Sequence, residues 1–183
     1  MHIFKLILAF ILAGIVAALS FYFINTGCSQ PPVTEPTTIS ETEPLPTSPQ
    51  SWSVSLASLQ ALGLPEFSVT VDTVNNSGTV KSYAITGVRL KDVLAELLGV
   101  DDLSFLPDDA ATELTVLCTG YAPAVCGYDR IVSDDTYLAF VIDGSAGDAP
   151  RLIPMPDKVH TDGNTYVFNG DMIKNVDTLT LVW

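Results

Sequence analysis

The chain has 183 residues, 48% of them apolar, and carries 21 acidic against 8 basic side chains, a formal net charge of −13. That length allows one ordinary domain core plus appendages. The charge opposes nucleic acid and anionic lipid surfaces as partners, since both are recognised through basic patches.

After His2 and Lys5, residues 6–24 (LILAFILAGIVAALSFYFI) contain no charge. As a helix rising about 1.5 Å per residue, this run would span roughly 28 Å, close to the hydrocarbon thickness of a bilayer. A cationic start, an apolar run and then small residues follow the plan of an export signal. Asn25-Thr26-Gly27-Cys28 resembles a lipobox, the signal that directs lipid to a cysteine, with Asn25 standing where Leu is usual. The first reading takes 1–28 as a signal peptide ending in a lipobox-like cysteine, cleaved before Cys28 to leave a lipoprotein anchored through that residue. The second is an uncleaved signal-anchor helix. Both place the remainder in the cell envelope, on the extracytoplasmic face of a membrane.

Residues 29–50 hold six prolines, five threonines, three Glu and no basic residue. Proline removes backbone donors and favours extended chain, and no apolar face can form here, so the segment reads as a disordered, semi-rigid spacer. The remaining residues, 51–183, form the one expected domain, with 7 Lys/Arg against 18 Asp/Glu.

Within it, residues 52–54 read as a short strand entering a helix with Ser55 as N-cap, terminated by Gly63 and Pro65. Residues 67–72 and 79–85 alternate apolar and polar around the turn residues Asn75-Asn76-Ser77-Gly78, which predicts a hairpin. Asn75-Asn76-Ser77 is also an N-x-S acceptor sequence. Leu90, Val93, Leu94, Leu97 and Leu98 make an apolar stripe at helical spacing opposite Lys91, Asp92 and Glu96, with Gly99 as the C-terminal stop. The runs 113–118 (ELTVLC) and 136–142 (TYLAFVI) are too apolar for exposed strands and predict central ones. Residues 143–148 read as a turn, and extended chain resumes at 151–155, 166–168 and 176–183. Strands outnumber helices and hairpins are frequent, so the class is α+β with a mixed β-sheet.

Of the three cysteines, lipidation of Cys28 leaves Cys118 and Cys126 as an even pair in an oxidising compartment, where disulfides persist. Their spacing is neither a CxxC redox motif nor a zinc knuckle. Gly120 and Pro123 can reverse the chain between them, and a hairpin symmetric about Ala122 would set the two sulfurs opposite each other. A structural disulfide is therefore expected.

The segment Tyr83-Ala84-Ile85-Thr86-Gly87-Val88-Arg89-Leu90-Lys91-Asp92-Val93-Leu94 resembles the Y-x-x-TGV-x-L-x-D-L-L stretch of the oxidoreductase molybdopterin-binding domain, the sulfite oxidase fold. LTVLCTGY at 114–121 is similar to that family's strand ending in DGY. Leu138-Ala139-Phe140-Val141-Ile142-Asp143-Gly144 resembles its LAY…(N/D)G, and Pro150-Arg151-Leu152-Ile153-Pro154 its P-L-R-L-V-x-P. Ile173-Lys174-Asn175-Val176 fits its closing segment. The resemblance covers most of 52–183 and implies that family's mixed-sheet domain, which in full-length enzymes binds a molybdenum–pterin cofactor. Catalytic members carry the molybdenum-ligating thiolate upstream of GV-x-L; here the interval 66–87 has no cysteine, Cys118 lies in a later strand, and Thr119 replaces the Asp of DGY. Few basic residues are available for the pterin phosphate. The departures imply a reduced member without the metal site: no catalytic residues, no metal and no cofactor are expected.

Other chemistry is sparse. His160 is the single histidine of the domain and sits among surface-loop residues, and no GxSxG elbow accompanies it. The doublets Asp101-Asp102, Asp108-Asp109 and Asp134-Asp135 offer oxygen ligands for Ca²⁺ without EF-hand spacing; solvated turn roles fit them equally. Tyr121, Tyr128 and Arg130 gather around the two-cysteine loop, either as a ligand cleft or as core-edge packing. Two function classes follow. One is a non-catalytic binding or accessory module for a small molecule, glycan or envelope protein. The other is an oxidoreductase, or a subunit of a redox complex, carrying a molybdenum–pterin cofactor.

Overall fold

The computed structural model describes residues 45–183. The apolar run 6–24, Cys28 and most of the proline-rich spacer lie outside the described residues. The spacer's last residues belong to the domain: Ser48 Oγ accepts the Trp183 backbone N–H at 2.9 Å, and Gln50 already pairs with Leu181 in a sheet.

Strand β1 (Gln50–Ser53) leads into helix α1 (Leu56–Ala61), whose N-cap is Ser55. The Ser55 and Ser58 side chains cap each other's backbone N–H, at 3.1 and 2.7 Å, satisfying donors that a helix start leaves open. β2 (Phe67–Val74) and β3 (Val80–Arg89) form the expected hairpin. Its turn is held by Asn75 Oδ1, which accepts the N–H groups of Ser77 and Thr79. Helix α2 (Leu90–Leu98) buries Leu90, Val93 and Leu94 completely, each contributing about 1.5–3 kcal/mol of apolar transfer. It stops where Gly99 turns left-handed at φ 70° and Val100 N–H closes back on Ala95 C=O.

β4 (Glu113–Cys118) and β5 (Ala124–Gly127) form a second hairpin, which runs directly into the five-residue helix α3 (Tyr128–Val132). β6 (Tyr137–Ile142) and β7 (Ser145–Ile153) form a third. The six-residue turn expected at 143–148 is only Asp143-Gly144. Both have positive φ, 50° and 76°, the geometry of a two-residue hairpin turn whose twist matches its strands. The short β8 (Lys158–Val159), β9 (Thr165–Phe168), a 3₁₀ turn at Asn169–Asp171 and β10 (Val176–Val182) complete the chain.

These strands make two sheets: a four-stranded one, order β1-β10-β4-β5, and a six-stranded one, order β7-β6-β3-β2-β9-β8. All pairings are antiparallel except β2 with β9. The class is α+β, mostly sheet. The main core joins the inner face of the first sheet (Leu114, Val116, Leu179, Leu181), both larger helices, and one face of the second (Val88, Leu138, Phe140, Leu152). A smaller core of Val71, Ile85, Ala139, Ile153, Val167 and Met172 covers the opposite face of the second sheet. β6 thus feeds Leu138 and Phe140 to one core and Tyr137 and Ala139 to the other. That explains why its sequence is apolar throughout rather than alternating, and both β4 and β6 are central strands as their composition predicts.

Candidate functional site

The hairpin β4–β5 decides the fate of the cysteines. Its register pairs Leu114 with Cys126 and Val116 with Ala124, so the hairpin pivots about Gly120, at φ 84°, and not about Ala122. Cys126 therefore faces Leu114, four residues along the strand from Cys118. At about 3.4 Å per residue this is roughly 14 Å, beyond the ~7 Å that a disulfide spans between Cα atoms. Both thiols are free and buried, and the expected bridge does not form. Cys118 Sγ donates to the Ala122 carbonyl at 3.4 Å, while Cys126 packs in the main core. Burial pushes both thiols above their ordinary range. For Cys118 the Asp177 charge adds to this; for Cys126 the opposed charges of Arg130 and Asp171 follow burial in size. Neither is a poised thiolate.

Where β5 ends, the chain turns at once into α3, and this delivers Tyr128 and Arg130 to one cleft. Arg130 Nη2 donates to Asp157 Oδ2 at 2.5 Å and to Asp171 Oδ2 at 2.7 Å. Asp157 follows β7 and Asp171 lies in the 3₁₀ turn, so one guanidinium ties three separate segments together. Burial works against the Arg130 charge and is the largest single influence, but the two carboxylates together outweigh it and hold its pKa above the ordinary value. A cleft of about 490 Å³ opens beside this triad, lined by Tyr128, Arg130, Asp157, Asp129, Asp108, Asp109 and Met155, among others. Tyr128 also forms a wall of a second cleft, about 310 Å³, that reaches Lys91, Asp92, Asp101, Asp102 and Ser104.

Tyr121 does not join this site. It sits in the β4–β5 turn, 58% exposed, at the other end of β5 from Tyr128. Asp157, Asp171 and Met155 escaped the sequence reading as site residues because they stand 25 to 41 positions from Arg130, Met155 at the end of the expected extended run 151–155 and the two aspartates outside any patterned segment. Only the packing of those loops against α3 collects them.

The acidic doublets divide. Asp102 Oδ1 accepts Ser104 N–H and Asp109 Oδ1 accepts Ala111 N–H, both at 2.8 Å, so each organises its own turn. The bonds to Ser104 hold Asp102 below the usual carboxylate range. Asp134 takes Lys91 at 2.8 Å and Arg89 at 3.2 Å; the Lys91 bond and charge lower its pKa. Among the described residues, no group of three or more His, Cys, Asp or Glu side chains is arranged to hold a metal ion. His160 reaches the Gly78 carbonyl at 3.2 Å through Nε2, lies 3.3 Å from Asp162 through Nδ1, and stacks edge-on against Tyr166. It fastens the β2–β3 turn to the β8–β9 hairpin, a structural role.

The residues present do not fit a molybdenum–pterin cofactor. The interval in which the resembling family carries its thiolate is here β2 and β3, which contain no cysteine, and the two thiols of the domain are turned into the protein. Five of the seven basic side chains of the domain are engaged in different places: Arg89 and Lys91 with Asp134, Arg130 with Asp157 and Asp171, and Lys81 and Lys158 over the Tyr83 and Phe168 rings. These five do not converge on one point. The chain matches no protein-family model, and neither the curated proteins nor the solved structures compared with it gave a match.

Proposed function

We propose that this protein is a binding or accessory module, held on the extracytoplasmic face of a membrane by its N-terminus and built on a molybdopterin-domain scaffold of the sulfite oxidase type that has lost its metal site. The anchor is lipid on Cys28, with the spacer holding the domain off the surface. The observation that carries the binding role is the cleft beside Tyr128. Its one guanidinium is already neutralised by Asp157 and Asp171, and Asp108, Asp109 and Asp129 add further negative charge around an aromatic wall. Such a lining favours a neutral or cationic ligand, whether small molecule, glycan or a segment of an envelope protein, over an anionic one.

Two measurements test this reading. Protein purified from its native membranes is assayed for molybdenum and for fluorescence of oxidised pterin; neither is expected, and stoichiometric amounts of both would establish the oxidoreductase reading instead. Mass spectrometry of the mature N-terminus is expected to show diacylglyceryl-Cys28, whereas an intact Met1 terminus would show a signal anchor.

A further inference from the structure

We propose that Asn75 is an N-glycosylation site, modified at Nδ2 after the domain has crossed the membrane; the inference rests on the extracytoplasmic placement proposed above. Asn75-Asn76-Ser77 satisfies the N-x-S rule, with a residue other than proline between acceptor and serine. The sequence alone is equally well explained by turn chemistry. The structure adds two things.

First, the acceptor is accessible. Residues 75–82 are all exposed, at the end of the β2–β3 hairpin and away from both cores. Second, the turn uses the opposite end of the carboxamide from the one that is modified. Asn75 Oδ1 accepts the N–H groups of Ser77 and Thr79, each at 2.9 Å. Nδ2 makes no hydrogen bond among the described residues. A planar amide whose oxygen is pinned toward the turn points its nitrogen away from it, into solvent. Sugar added at Nδ2 leaves both turn bonds intact, so the folded hairpin and the modified asparagine are compatible. The Ser77 hydroxyl is likewise without a partner among the described residues, free for the recognition that the N-x-S rule reflects.

The donor is a lipid-linked oligosaccharide presented by a membrane transferase. Nδ2 forms a bond to C1 of the first sugar, the C1–O bond to the lipid phosphate breaks, the phosphate leaves with the electron pair, and Nδ2 gives up one proton. Nothing is oxidised or reduced.

The test uses the full chain expressed in its own host. The peptide spanning Asn75 is expected to carry a glycan-sized mass increment. Asn75→Gln also removes the two turn bonds, so Ser77→Ala is the decisive variant. Both bonds survive it, because Ser77 contributes its backbone N–H, yet the increment should be lost, and Ser77→Thr should restore it. Protease accessibility of the domain in spheroplasts, from which any outer envelope layer has been removed, is read in parallel. An accessible domain with unmodified Asn75 overturns the glycosylation proposal and leaves the membrane reading standing. A protease-protected domain overturns the membrane reading and the proposal with it.

Discussion

Gly87 stands where β3 bulges against β6, at the register break between Thr86 and Gly87. A Cβ placed there would lie 2.4 Å from the Leu138 carbonyl oxygen and 2.7 Å from Ala139 Cα, both main-chain atoms that no rotamer change can move. Gly87→Ala must therefore push β3 and β6 apart by roughly 1 Å to regain ordinary contact, close to the buried pair Val88 and Leu138. Overpacking of a core costs about 1–3 kcal/mol, and lengthening the flanking ladder bonds adds up to about 1 kcal/mol for each bond weakened. A loss of about 3 kcal/mol is expected, a large share of the roughly 5–15 kcal/mol that a domain has. With a urea m-value of about 1.5 kcal/mol/M, the midpoint should fall by about 2 M. Unfolding of the detergent-solubilised chain followed by Trp52 and Trp183 fluorescence reads the domain alone, since these are the two tryptophans. Gly127→Ala is the control: a Cβ there meets nothing within 4 Å, and its φ is −79°. It should change stability by less than about 1 kcal/mol, the range of an N-cap glycine replaced by alanine. A Gly87→Ala protein as stable as the Gly127→Ala protein would refute the close-approach argument.

Three further outcomes are expected. Arg130→Ala should destabilise the domain by about 1–2 kcal/mol, between the values for exposed and buried pairs because its side chain is 24% exposed. In a double-mutant cycle with Asp157→Asn the losses should fail to add by at least about 0.5 kcal/mol; strict additivity would mean the contact is energetically idle. Denaturation without reductant should let an alkylating reagent label both Cys118 and Cys126, whereas the native protein should react slowly; a Cys118–Cys126 linked peptide would contradict the β4–β5 register. Finally, the Tyr166 hydroxyl and the Asn164 N–H hold the Asp162 carboxylate down at about 2. This depressed value means that the contact stabilises the fold fully above the ordinary carboxylate range and loses its contribution as pH falls from about 4 through 2. In NMR titrations Tyr166→Phe should move the Asp162 pKa back toward 3.8, and an unchanged value would show that the hydroxyl is not its main partner.

Local chemistry was readable where local forces decide. The Leu90–Leu98 stripe, the caps at Ser55 and Gly99, and the Asn75–Gly78 turn are interactions between near neighbours, and each lies where its residues predict. The continuous apolar run of β6 announced a strand buried on both faces, whereas β4, also central in its sheet, buries Leu114, Val116 and Cys118 and leaves Glu113 and Leu117 exposed on the other face. The turn at 143–148 was overdrawn, since Ser145, Gly147 and Asp148 look like turn residues yet belong to an edge strand, where small and polar residues face water without cost. The candidate cleft was half legible: Tyr128 and Arg130 fall on one short helix, but the partners of Arg130 arrive from segments that no local pattern connects.

The sequence by itself determined the α+β class, the main hairpins and the Leu90–Leu98 helix, because apolar periodicity and turn residues act within a few positions; it held no sign of α3 (Tyr128–Val132) or of β8 (Lys158–Val159). Only the tertiary structure decided the register of the β4–β5 hairpin, and a two-residue displacement of its pivot, from Ala122 to Gly120, separates two thiols that symmetry would have joined. It also decided that Gly87 must lack a side chain and that Tyr121 and Tyr128 lie apart. Those outcomes depend on which main-chain atoms distant strands bring into contact, and that information is absent from any short stretch of the chain.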